Sequence, residues 1–132
     1  MAQLTMQQAS DLAHQFLALA QSIGDFRYRH WKDLSNGQDQ KLASLHRSVL
    51  NYGEDILALS TVLVMDDVSK SLASVKEVTL QIKSTLGSLA DIQKGIDLTA
   101  SIVTLGAAII SRDPLAVEVA VEGLVRNWKR VA

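Results

Sequence analysis

No cysteine occurs among the 132 residues, which removes disulfides, thiolate zinc sites and cysteine nucleophiles together. That absence is compatible with a reducing compartment. The chain starts Met1, Ala2, Gln3, Leu4, Thr5, without the basic opening or the unbroken apolar stretch of a secretion signal, so the expected localisation is the cytoplasm. An excess of charge of either sign is also missing. The formal net charge is −1, so no field of the whole protein favours nucleic acid or an anionic membrane, and any such partner would need a local patch. Motifs of phosphate and acyl chemistry are absent too: there is no P-loop, no dinucleotide-binding glycine pattern and no serine in a nucleophile elbow. The three histidines, His14, His30 and His46, do not occur in the Glu-x-x-His pairs of a dinuclear site in a helical bundle. Neither an enzyme, nor a cofactor, nor a bound metal is expected.

What the chain does have is 48% hydrophobic against 20% charged residues, a globular balance. Its length suits one domain spanning 1–132. A spacing of alternating three and four runs through nearly all of it, and no strand signal, internal repeat or low-complexity tract competes. The expected fold class is all-α, an up-and-down bundle of four to five antiparallel helices.

In the first segment the apolar stripe is Ala9, Leu12, Phe16, Leu19, Ile23 and Phe26, and Thr5 with Gln8 has capping-box spacing. Gly24 is a possible stop, but the phase persists to His30, which favours a kinked continuation to about Leu34, followed by a turn at Ser35, Asn36 and Gly37. The second segment carries a strict seam of Leu42, Leu45, Val49, Tyr52, Ile56, Leu59 and Leu63. Gly53 inside it costs about 1 kcal/mol relative to alanine and points either to close backbone approach or to simple tolerance. Asp66 or Asp67 is the expected cap of the next helix.

From Leu72 the stripe continues through Val75, Ile82, Leu86, Leu89, Ile96, Val103 and Ile110. As one helix it would reach roughly 65 Å at 1.5 Å per residue, too long for a compact bundle. Gly95, with Ile96 beyond it and Asp97 ready to cap, is the favoured point of reversal, and the competing arrangement is a continuous helix that dimerises along its length. Asp113 followed by Pro114 announces the last helix, whose core face is Val117, Val121, Leu124, Trp128 and Val131. Glu118 and Glu122 near its start, with Arg126, Lys129 and Arg130 near its end, complement the helix dipole.

Two features bear on function. The run Phe26, Arg27, Tyr28, Arg29, His30, Trp31, Lys32 alternates rings with cations, as a phosphate-bearing partner would require, and Arg126, Trp128, Lys129 and Arg130 form a second such group. The first run is also explained if Phe26 and Trp31 pack into the bundle end, with Arg27 over Trp31 as a cation–π pair. In a five-helix bundle the two groups lie at the same end; with an uninterrupted third helix they lie at opposite ends. The candidate anionic-ligand or partner surface is therefore Arg27, Arg29, His30, Trp31, Lys32, Arg126, Lys129 and Arg130.

The second feature is the uncharged segment Leu98 to Ser111, which at 14 residues falls short of the roughly 20 that span a bilayer. It reads first as a central core helix, then as an oligomer interface, then as a membrane-inserting element paired with Leu115 to Val125. The leading functional expectation is a non-enzymatic helical module that binds a protein partner or itself as a homo-oligomer. A membrane-active bundle inserting 98–125 is the alternative, and a binder of an anionic ligand is a further one; nucleic acid is disfavoured.

Overall fold

The computed structural model describes residues 3–60, 65–66 and 69–131, with side chains over 5–60 and 75–131. Five helices account for nearly all of it: α1 (Met6–Arg29), α2 (Asn36–Ala58), α3 (Ser69–Ser88), α4 (Ile92–Ser111) and α5 (Pro114–Val131). A two-residue antiparallel pairing joins β1 (Gln3–Leu4) to β2 (Met65–Asp66). The all-α bundle follows from the amphipathic spacing, since each helix has a stripe that needs a neighbour.

Helix directions alternate along the chain. Leu17 of α1 packs at Gly53 of α2, and Arg27 near the end of α1 pairs with Asp39 near the start of α2, so these two run antiparallel. Phe26 lies against Gly95 and Phe16 against Gly106, which makes α4 antiparallel to α1 as well. Asn127 of α5 donates to Ser101 of α4, and Trp128 of α5 reaches Thr85 of α3. Around the bundle α1 packs on α2 and α3, α2 on α4, α4 on α5, and α5 on α3, closing a ring. The ends of α1, α3 and α5 therefore lie together.

The core is continuous and includes Phe16, Phe26, Leu19, Ile23, Leu42, Ile56, Ile82, Leu86, Leu98 and Ile102, all essentially without solvent exposure. α4 is its central helix. Leu98, Thr99, Ile102, Leu105, Ala108 and Ile109 are buried, and the one buried hydroxyl among them, Thr99 Oγ1, donates to the Gly95 carbonyl at 2.8 Å. Gly106 faces Tyr52 of α2 and Phe16 of α1 so closely that a Cβ there would come within 2.9 Å of both rings.

Several boundaries differ from those expected from the sequence. The reversal between α3 and α4 falls at Leu89, Ala90 and Asp91, before Gly95. Asp91 caps α4, its carboxylate accepting from the Lys94 amide at 3.0 Å, while Asp97 sits inside the helix as an exposed acceptor for Gln93. Gly95 is buried within α4, where the Phe26 ring occupies the place of its side chain, and the break at 89–91 also rules out the uninterrupted long helix. α1 stops at Arg29 instead of continuing to Leu34, because His30 leaves helical geometry as the C-cap. Ser35 and Gln38 form a capping box that starts α2 directly, in place of the turn at Asn36 and Gly37.

Leu59 falls just past the end of α2 and is 40% exposed; Leu63, Leu72 and Asp67 lie outside the described side chains, and Asp66 stands in β2. Thr5–Gln8 and Asp113–Pro114 start their helices as their spacing predicts, with Asp113 Oδ1 accepting from the amides of Leu115 and Ala116. Arg112, in the left-handed region at φ 60°, closes α4 by donating its amide to the Ile109 carbonyl.

Candidate functional site

The cations of the run at the end of α1 are mostly engaged within the fold. Arg27 turns to Asp39 rather than to Trp31: its Nε and Nη2 donate to the two carboxylate oxygens at 2.7 and 3.1 Å. This is the one ion pair among the described residues. The hydrogen bond from Arg27 holds the Asp39 carboxyl below its ordinary value and, in return, raises the Arg27 guanidinium.

Arg29 reaches the end of α3, where it donates to the carbonyls of Leu86 and Leu89 at 2.7 Å and also to that of Gly87. The last carbonyls of a helix have no intrahelical partner and carry partial negative charge, so a guanidinium placed there satisfies both needs. His30 adds a bond between Nε2 and the Leu89 carbonyl at 2.9 Å, with the proton assigned to that nitrogen. Phe26 lies beneath, its ring 4.6 Å from that of His30 and 5.5 Å from the Arg29 guanidinium. The cation–π pair therefore involves Arg29 and Phe26.

Phe26 is core, whereas Trp31 is 62% exposed and Tyr28 84% exposed. Those two rings, with Lys32 and Asp33, border a shallow depression of about 640 Å³. The second basic group arrives at the same end of the molecule. Trp128 is half-buried and its indole Nε1 donates to Thr85 Oγ1 at 3.2 Å in the last turns of α3, while Arg126, Lys129 and Arg130 are exposed. The fold thus brings both runs to the end of α3, but it commits Arg27 and Arg29 to internal partners. Lys32, Arg126, Lys129 and Arg130 remain as exposed cations of the predicted set.

A different surface emerges between α4 and α5. Along their outer faces runs an open groove of about 800 Å³, floored by Ala108, Ala116, Ala120 and Gly123 and edged by Thr104, Ala107, Leu115 and Val119. Leu115 is 68% and Val119 60% exposed, one helical turn apart on the side of α5 opposite its buried residues Val117, Val121 and Leu124. Asp113 stands at one end, and Glu122 and Arg126 toward the other. The signal was present in the sequence: Leu115 and Val119 form an apolar i, i+4 pair off the Val117, Val121, Leu124 face, a second stripe that the helix cannot bury in the same core.

No family model matches the chain, and comparison with curated proteins and with solved structures returns no match. Among the described residues, no three histidine, aspartate or glutamate side chains gather as a metal-binding cluster.

Proposed function

We propose that this protein is a non-enzymatic helical interaction module that self-associates, with the outer face of α4 and α5 as its docking surface. The single observation that carries this reading is the groove edged by Leu115 and Val119, two large apolar side chains one helical turn apart that are left more than half in water. Covering such a side chain completely yields roughly 1.5 to 3 kcal/mol, so two from each copy, already partly covered, supply about 4 to 8 kcal/mol in all. That gain competes with an association cost of several kcal/mol or more. The balance favours a weak, reversible complex.

Light scattering after size exclusion tests it. At tens of micromolar the expected mass exceeds that of one chain and falls on dilution; a strictly monomeric protein across that range overturns the reading.

A membrane-active bundle is the second reading, supported by α4, which by length and composition is apolar enough to cross a bilayer. Half of that apolar window is buried in the bundle, so insertion would first require α4 to part from Phe16, Phe26 and Tyr52. Anionic vesicles at low salt separate the two readings, because insertion predicts co-sedimentation and dye leakage, and self-association predicts neither.

A further inference from the structure

We propose that the end of the bundle carrying Tyr28, Trp31 and Lys32 is a docking face for an anionic lipid bilayer, on which the protein sits end-on without inserting a helix. The proposal is independent of the α4–α5 groove. It rests on a separation of charge along the bundle axis that the formal net charge of −1 conceals. One end gathers the last turns of α1, α3 and α5 with the first turns of α2 and α4. Exposed Lys41, Lys83 and Lys94 join Lys32, Arg126, Lys129 and Arg130 there. Among the described side chains they are opposed by Asp25, Asp33, Asp91 and Asp97, since Asp39 is taken by Arg27. Within two turns of the opposite end the described charges are Asp11, Glu54, Asp55, Asp113 and Glu118, with Arg112 as their one cation.

Helix dipoles do not account for this sorting. Cations at a helix C-terminus and anions at an N-terminus are stabilising, and Lys129, Arg130 and Glu118 conform. Lys94 in the first turn of α4, and Glu54 and Asp55 near the end of α2, stand against their own dipoles. Charge is therefore sorted by the end of the molecule rather than by the end of each helix, which creates the local patch that an anionic partner requires.

The rings choose among anionic partners. Tyr28 in the last turn of α1 and Trp31 in the α1–α2 connection are exposed at this end and, with Lys32, border the shallow depression. Both side chains join an apolar body to a polar tip, the type that concentrates at the headgroup level of membranes. The connection that carries Trp31 is held in place: its amide donates to the Tyr28 carbonyl at 3.2 Å, and the neighbouring Arg29 and His30 bind the carbonyls at the end of α3. A single-stranded nucleic acid takes a positively charged groove that tracks its backbone, and a duplex takes a helix or ribbon laid in its groove. Here the cations belong to α2, α3, α4, α5 and a connection, all at one end, an arrangement that meets a charged plane.

Vesicles of phosphatidylcholine with about one-third phosphatidylserine test the proposal, with phosphatidylcholine alone as reference. At low salt the full chain is expected to co-sediment with the first and not the second, to release no trapped dye, and to dissociate as salt is raised. Each Lys or Arg held near an anionic bilayer raises partitioning roughly fivefold. Lys129→Ala with Arg130→Ala should therefore lower binding at least about tenfold. The charge-matched pair Arg47→Ala with Lys76→Ala, exposed midway along α2 and α3, should change it less than about twofold. Anionic vesicles should shift tryptophan emission to shorter wavelength in the parent and in Trp128→Phe, and leave Trp31→Phe nearly unshifted. Circular dichroism of each variant should match the parent, because the substituted cations and Trp31 are exposed.

No binding to anionic vesicles at low salt overturns the proposal, as does an equal loss in the two double variants or an undiminished emission shift in Trp31→Phe. Dye release on binding overturns it in favour of insertion. Binding of a single-stranded oligonucleotide with none to the vesicles overturns it in favour of nucleic acid.

Discussion

Replacing a glycine by alanine inside a helix ordinarily stabilises it, by about 1 kcal/mol, because glycine loses more backbone freedom on folding. In this bundle the sign of that change depends on which glycine is chosen. At Gly95 a Cβ would lie 2.4 and 2.6 Å from two atoms of the Phe26 ring, where ordinary contact begins near 3.4 Å, so the ring must retreat by about 1 Å. Phe26 is 1% exposed and is held from above by His30 and Arg29, so it has no solvent to retreat into. Overpacking of this kind costs about 1 to 3 kcal/mol, which outweighs the propensity gain and leaves Gly95→Ala destabilised by about 1 kcal/mol.

At Gly123 of α5 the same substitution meets nothing and should stabilise by up to about 1 kcal/mol. Urea denaturation of the two variants beside the parent, analysed at constant slope, reads the difference of about 2 kcal/mol as opposite shifts in midpoint. Trimming the ring in Phe26→Leu should return part of the loss when combined with Gly95→Ala, a coupling expected only of side chains in contact. Equal stability of Gly95→Ala and Gly123→Ala would mean that the Phe26 ring yields to a Cβ at Gly95 without cost.

Phe26→Ala should cost about 3 to 5 kcal/mol in stability, whereas Trp31→Ala, 62% exposed, should stay within about 0.5 kcal/mol, both read by thermal or urea unfolding. Arg29→Ala removes the guanidinium from the carbonyls of Leu86, Gly87 and Leu89 and should destabilise by about 1 to 3 kcal/mol, with faster amide exchange in the last turn of α3. Because Arg27 holds the Asp39 carboxyl below its ordinary value of 3.8, the contribution of the pair is complete above that value and is lost as pH falls through the lower folded one. Asp39→Asn should therefore flatten the acid limb of the stability profile, and a nuclear magnetic resonance titration of Asp39 in the parent should give a midpoint below 3.8; a midpoint at or above it refutes the pairing.

The helical class, the stripes of α1 and α5, that of α2 as far as Ile56, and two of the helix starts were legible because periodicity and capping are local properties of a chain. The reversal before α4 was misplaced for a reason that is not local. Gly95 has the chemistry of a helix stop, and only the arrival of Phe26 from another helix shows that its missing side chain serves packing instead. Asp91, an N-cap residue ahead of an apolar run, was the better signal. The partner of Arg27 was equally hidden, since nothing in a single sequence connects it to Asp39 twelve residues away across a helix boundary. Of the candidate basic residues, Arg27 and Arg29 look available in the sequence, yet Asp39 near the start of α2 and the carbonyls at the end of α3 engage them.

The order of helices around the ring has a consequence for how the chain acquires its structure. Two contacts, α1 with α2 and α4 with α5, join sequence neighbours across short connections and close quickly as helical hairpins. α3 alone must settle between helices from both hairpins, against α1 on one side and α5 on the other, so its docking completes the circuit. Substitutions at its buried residues Val78 and Ile82 should then chiefly accelerate unfolding and leave the folding rate almost unchanged, placing α3 late along the route to the native bundle.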